Sequence, residues 1–207
     1  MVVKKDLSIE FAGLNCINPF FLSSSPVGNN YNMISKAFEV GWGGVYYKTI
    51  GLVEEKEVSP IFSEVSSMGQ TWTAFKNCEH FSQNTLEENC EHMLKLKKHY
   101  PDRIVIASFM GQNESEWKTL CRFADQAGVD AVEINLSCPH MGSEAMGADV
   151  GTTPSLVEQY TKVCSQATKL PIIAKMTPNL TNMEPSAIAA IRGGAKAISA
   201  INTVKSL

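Results

Sequence analysis

No two of the six cysteines are spaced Cys-x-x-Cys, so the sequence offers no pattern for a zinc or iron–sulfur site. No apolar run approaches the ~20 residues needed to cross a bilayer. There is no basic excess; the formal net charge is −3, which argues against a nucleic-acid surface. The first residues, MVVKKDLSIEF, carry two lysines without the long apolar stretch of a signal peptide. A cytoplasmic protein with reduced thiols and no membrane contact is the expectation. No Gly-x-Gly-x-x-Gly follows the first predicted strand, which weakens a dinucleotide-binding fold. What is present is ordinary for a globular chain: 207 residues, 44% hydrophobic and 19% charged.

A unit recurs along the chain. GWGGVYY begins at Gly41, GVDAVEI at Gly128 and GAKAISA at Gly194. Each is a glycine, two variable residues, a small residue and then a β-type run. A helical stretch precedes each. Met33, Ile34, Ala37 and Phe38 share one face of the first; Trp117, Leu120, Cys121 and Ala124 share one face of the second; Ile188, Ala189 and Ile191 mark the third. The glycine reads as the residue just past a helix end, where positive φ is needed. RIVIASFM (103–110) and PIIAKMT (171–177) fit the same scheme after helices bearing Leu86, Cys90 and Met93, and Leu156, Tyr160 and Val163. INPFFLSSS (17–25) opens the series. Six strands alternating with five helices imply a parallel α/β sheet with right-handed crossovers. The repeat suits a (β/α)8 TIM barrel better than a doubly wound sheet. A closed barrel needs ~250 residues, so the expectation is a barrel truncated to about six βα units.

In parallel α/β folds ligands bind beyond the carboxyl ends of the strands. Those ends carry Ser23 to Ser25, Lys48 and Thr49, Gln112, Asn135 with Ser137 and Cys138, Lys175 and Thr177, and Asn202 with Thr203. They form no carboxylate pair and no Ser–His–Asp order, so hydrolysis is disfavoured. Amides, hydroxyls, two lysines and one thiol suit a planar ligand with amide edges. The connection from Ile50 to about Gln83 is long for a βα loop. It carries Trp72, Phe75 and Asn77, which are candidates to cover a ligand at the barrel mouth.

NLSCPH, AKMTPN, INPFFLSSSP, GWGGVYYKT and INTV, in this order, resemble the flavin-binding barrel of the dihydroorotate and dihydropyrimidine dehydrogenases. LSSSPVGN, EVSPIF, EAMGADVG and AINTVKS place the resemblance nearer the NAD-dependent dihydropyrimidine branch. It covers residues 1–207 as one FMN- and pyrimidine-binding domain. The last two strands with their phosphate-holding loops, and any iron–sulfur segment, are expected outside this chain or on a partner. The resemblance implies that Cys138 exchanges a proton with pyrimidine C5. It implies that Asn77, Asn135, Leu136, Ser137, Asn202 and Thr203 surround the pyrimidine, and that Ser24, Lys48, Thr49 and Lys175 face FMN. No metal is implied. The implied partners are a pyrimidine, an NAD-linked flavoprotein that supplies electrons, and further subunits of a homo- or hetero-oligomer.

The chemistry agrees with these roles. Asparagine offers both donor and acceptor, as a uracil edge does. A lysine stabilises the negative charge of a reduced flavin ring. A thiol with a reference pKa of ~8.5 can give or take a proton near neutrality. A lone thiol after a strand is more often a small buried hydrophobe, so Cys138 rests on its NLSCPH context. Two other readings stand beside the first: a dihydroorotate dehydrogenase of pyrimidine biosynthesis, and a catalytically inactive fragment whose open sheet edges invite association.

Overall fold

A computed structural model describes residues 5–52, 61–76, 81–136 and 148–204. It opens with a hairpin, β1 (Ile9–Phe11) and β2 (Leu14–Cys16), then alternates strand and helix. The series runs β3 (Phe21–Leu22), α1 (Tyr31–Glu39) and β4 (Gly44–Tyr46). A second hairpin follows, β5 (Ile61–Ser67) and β6 (Gln70–Lys76). Then come α2 (Leu86–His99), β7 (Ile104–Phe109), α3 (Glu114–Ala127) and β8 (Ala131–Asn135). The chain continues through a short α4 (Ala148–Thr152), α5 (Pro154–Ala167), β9 (Ile172–Lys175), α6 (Glu184–Arg192) and β10 (Ala197–Ser199). Strands β3, β4, β7, β8, β9 and β10 form one six-stranded parallel sheet in sequence order. That order without reversal is the winding of a TIM barrel rather than of a doubly wound sheet. The six expected strands and five expected helices are all found. The first strand is shorter than INPFFLSSS suggested.

Local chemistry sets the helix ends. Asn30 caps α1 by accepting from the Met33 N–H at 3.0 Å. Thr85 and Glu88 form a reciprocal capping box on α2. Asn113 caps α3. Gly41, Gly128 and Gly194 have φ of 106°, 64° and 105°, so the recurring glycine does take the left-handed turn its position predicted. One expectation about helix faces fails. Ile188 and Ile191 are exposed on α6, while Ser186, Ala189 and Ala190 are buried. This helix packs closely on α5, where a Cβ at Gly193 would lie 2.6 Å from the Thr161 side chain. Only small residues fit that approach, and the isoleucines turn away. Met33 of α1 is likewise exposed.

The sheet has two covered faces, so its central strands are buried throughout. Val105, Ala107, Val132, Ile134, Ile172 and Ala174 point outward into the helix layer. Ile104, Ile106, Ala131 and Ile173 point inward and meet Cys16, Phe11, Leu14, Phe21 and Tyr46. The hairpin β1–β2 thus packs on an apolar floor at the amino ends of the strands. At Gly44 no side chain fits, since a Cβ would lie 2.2 Å from the Phe21 ring.

Each hairpin turns on two residues with positive φ, Ala12 and Gly13 in one, Met68 and Gly69 in the other. The long 50–83 connection is therefore not a plain loop. It contains the paired strands β5 and β6, with Val65 opposite Trp72. Phe62, Val65 and Trp72 of this ribbon are exposed.

Burial pushes the phenols of Tyr46 and Tyr47 well above the usual tyrosine range; for Tyr46 the neighbouring Glu133 adds to the effect. Such groups stay neutral when folded but ionise near pH 10 when unfolded. The unfolded state therefore binds fewer protons above that pH, and stability falls as pH rises further. Urea midpoints measured from pH 9 to 11 should decline, and Tyr47→Phe should flatten the decline. A flat wild-type profile would contradict this.

Candidate active site at the strand ends

Toward the carboxyl ends the inward positions change character. Ile106 gives way to Ser108, Ala131 to Glu133 and Asn135, and Ile173 to Lys175. These polar positions are buried: Glu133 is 1% exposed and Asn135 6%.

A bulge delivers the β4 residues. The Tyr47 N–H donates to the Ile106 carbonyl, and the next ladder bond runs from the Ile50 N–H to the Ser108 carbonyl. Three residues advance against two, so one extra residue is accommodated across Lys48 and Thr49. Plain alternation would leave Thr49 on the outer face with Tyr47. Instead its hydroxyl reaches the inner face, 3.0 Å from Ser108 Oγ. Lys48 is buried at the same bulge.

Behind it, the Tyr47 hydroxyl lies 2.8 Å from the Asn29 carbonyl oxygen, 3.0 Å from Asn89 Oδ1 and 3.2 Å from His92 Nδ1. The returning chain is tied on by the Ser82 N–H, which donates to the Thr49 carbonyl at 2.7 Å. Position 49 is thereby held from both sides.

One hydrogen-bonded set joins five strand ends. Ser24 Oγ accepts from the Thr49 N–H at 3.0 Å and lies 3.2 Å from Thr49 Oγ1. Asn135 Nδ2 donates to Thr49 Oγ1 at 3.3 Å, and Asn202 Nδ2 donates to Asn135 Oδ1 at 3.2 Å. Ser108 Oγ donates to Glu133 Oε1 at 2.8 Å. Lys175 Nζ stands 4.0 Å from that same oxygen. Thr203 lies beside Asn202, and its N–H donates to Asn202 Oδ1 at 2.9 Å.

Of the residues singled out in the sequence, Ser24, Thr49, Asn135 and Asn202 are brought into direct contact. Lys175 joins them through Glu133 and Ser108. The Leu136 side chain lies in the helix-side apolar cluster, apart from this polar set. Asn77, Ser137 and Cys138 lie outside the described residues. Ser108 and Glu133 were not anticipated. Their signal is a polar residue at an inward position of an otherwise apolar parallel strand.

Among the described residues no group of three His, Cys, Asp or Glu could hold a metal, and no helix is long and apolar enough to cross a membrane. The arrangement can orient a flat ligand by amide and hydroxyl contacts and place positive charge beside it.

Comparison with known proteins agrees with this architecture. The NAD-dependent dihydropyrimidine dehydrogenase subunit PreA of Escherichia coli K12 is 50% identical over 206 residues, covering 100% of this chain and 50% of that protein. The chloroplastic dihydropyrimidine dehydrogenase (NADP(+)) of Arabidopsis thaliana is 39% identical over 98% of this chain and 50% of its own length. The catalytic subunit of dihydroorotate dehydrogenase B (NAD(+)) from Pyrococcus horikoshii is 32% identical over 100% of this chain and 64% of its own. The chain thus spans about half the length of the first two relatives. Among solved structures, the carboxyl transferase domain of Rhizobium etli pyruvate carboxylase matches 87% of this chain and 26% of that one, with a TM-score of 0.53 at 14% identity; this likeness concerns fold alone. The profile of the dihydroorotate dehydrogenase family matches residues 6–207, and the chain belongs to that family.

Proposed function

We propose that this chain forms the FMN- and pyrimidine-binding part of a dihydropyrimidine dehydrogenase of the NAD-dependent type. The reaction interconverts uracil or thymine and the 5,6-dihydro form. The observation that carries this reading is the polar set spanning Ser24, Thr49, Asn135 and Asn202, with Lys175 alongside. The relatives named above support the choice of substrate.

The donor set fits a flavin. Lys48 and Lys175 outnumber the single carboxylate Glu133 at these strand ends, so the described site suits a ring that gains negative charge on reduction. Ser24, Lys48, Thr49 and Lys175 would hold FMN, which when bound supplies hydride exchange at pyrimidine C6. Asn135, Asn202 and Thr203 would pair with the pyrimidine rim, joined by Asn77, Ser137 and the Leu136 backbone. Cys138 would give a proton to C5 in reduction and take one in oxidation. Electrons would arrive from an NAD-linked flavoprotein.

Purified chain incubated with FMN and then freed of unbound flavin by gel filtration should stay yellow and bind uracil more tightly than orotate, read as a shift of the flavin absorbance bands. Tighter orotate binding would favour the dihydroorotate reading. A colourless chain would overturn the flavin assignment.

A further inference from the structure

The backbone of the Lys48–Thr49 bulge is held from outside the sheet. The Lys48 N–H donates to the Gly28 carbonyl at 2.9 Å and the Thr49 N–H to Ser24 Oγ at 3.0 Å, both on the segment that follows β3. The Thr49 carbonyl accepts from the Ser82 N–H, on the chain returning from the β5–β6 ribbon. Two residues assigned to FMN therefore depend on two loop segments, and on whatever fastens those loops.

One buried side chain joins the returning loop to the strand. Asn89 of α2 is 0% exposed. Its Oδ1 lies 3.0 Å from the Tyr47 hydroxyl, 2.9 Å from Ser82 Oγ and 3.4 Å from Asn84 Nδ2. Its Nδ2 donates to the Asn84 carbonyl at 3.1 Å. A carbonyl can only accept, so the amide has one orientation: nitrogen toward the Asn84 backbone, oxygen toward the two hydroxyls. The first loop joins through Asn29. Its side-chain oxygen lies 2.6 Å from Ser82 Oγ, and its carbonyl accepts from Asn84 Nδ2 at 2.9 Å.

Asn29, Ser82 and Asn84 are themselves parts of the loops being held. Asn89 belongs instead to a helix, fixed by its capping box and by Met93 and Leu96 in the core. Among the described residues, His92 of the same helix bonds to Tyr47 but not to the returning loop. We propose that Asn89 is a positioning residue for the flavin: through Ser82 and Tyr47 it holds the Lys48–Thr49 bulge in the form that presents both side chains to FMN. This rests on the assignment of Lys48 and Thr49 to FMN.

The test compares Asn89→Ala with Leu96→Ala, a core truncation on the same helix that costs stability without touching the clasp. Titrated with FMN, Asn89→Ala should bind roughly tenfold more weakly than wild type, with displaced flavin absorbance bands. Leu96→Ala should lower the urea midpoint and leave FMN affinity unchanged. Equal FMN affinity in wild type and Asn89→Ala overturns the proposal. A second measurement needs no flavin. In the free chain, hydrogen exchange at the Lys48, Thr49 and Ser82 amides should quicken by about tenfold or more in Asn89→Ala, beyond any change at Asp130 and Val132 in the central sheet. A uniform change at all five amides gives Asn89 a merely structural role and overturns the proposal. Where Asn89→Ala does not fold, Ser82→Ala removes one donor to the same amide and should move affinity and exchange in the same directions; unmoved values overturn the proposal. Failure of the wild-type chain to bind FMN would count against the flavin assignment instead, and the exchange rates would still decide whether Asn89 holds the bulge.

Discussion

Cys138→Ala in the flavin-loaded protein is expected to lose turnover of uracil and dihydrouracil by about 10²–10⁴-fold, the usual contribution of a positioned acid or base. Flavin absorbance should be unchanged, because the residues assigned to FMN lie on other strand ends: Ser24, Lys48, Thr49 and Lys175. Position 138 follows β8 closely, three residues past Asn135 in sequence. Adding or removing hydrogen across the pyrimidine 5,6 bond needs a hydride at one carbon and a proton at the other. The amides and hydroxyls of the described polar set are too weakly acidic to exchange a proton with carbon near neutrality. A thiol can. Cys138→Ser should recover part of the loss only at high pH, since a hydroxyl is a far weaker acid. Exchange of the uracil C5 hydrogen with deuterated solvent should vanish in the alanine variant. Near-normal rates in Cys138→Ala would remove the acid–base assignment.

Much of the frame is legible in the sequence because one local device repeats. Gly41, Gly128 and Gly194 each follow a helix with positive φ and lead into a strand of the parallel sheet, so three turns report the same crossover. The hairpins are not legible for an equally local reason. Their turns place Ala12 and Met68 at positive φ, where asparagine or glycine is the expected residue. Pairing over seven residues on each side of Met68–Gly69 outweighs that local cost. The site divides in the same way. Asn135 and Asn202 follow from counting what each strand leaves at its end. Thr49 is counted at its strand end as well, but its place on the inner face comes from the bulge, which no pattern at VYYKT announces. Ser108 and Glu133 lie inside runs that read as plain buried strands. Their meaning depends on the face they share with Ile104 and Ala131, and that face is set by the sheet rather than by the run itself.

Asn135→Ala carries the other large expected effect, because one side chain holds two strand ends together. Its amide donates to Thr49 Oγ1 and accepts from Asn202 Nδ2, and it is 6% exposed. Truncation takes a partner from each of these residues and opens a polar void between the strand ends. The cost to folding should be about 1–3 kcal/mol, the penalty for leaving buried polar groups short of partners. The cost to the reaction should be greater. A site made to hydrogen-bond a polar rim discriminates through those bonds, so kcat/KM for the pyrimidine should fall by about 10²-fold or more. The division of that loss identifies the role. If Asn135 only braces the sheet, the urea midpoint falls and the kinetics of the surviving folded protein stay normal. If it pairs with the ring, uracil binding weakens in protein that is still folded, while FMN stays bound through Lys48 and Lys175. Asn135→Asp refines the comparison: it keeps the shape and the acceptor for Asn202 but removes the donor toward Thr49, and should lie close to alanine in kcat/KM. A variant with normal uracil affinity and only reduced stability would confine Asn135 to a structural part.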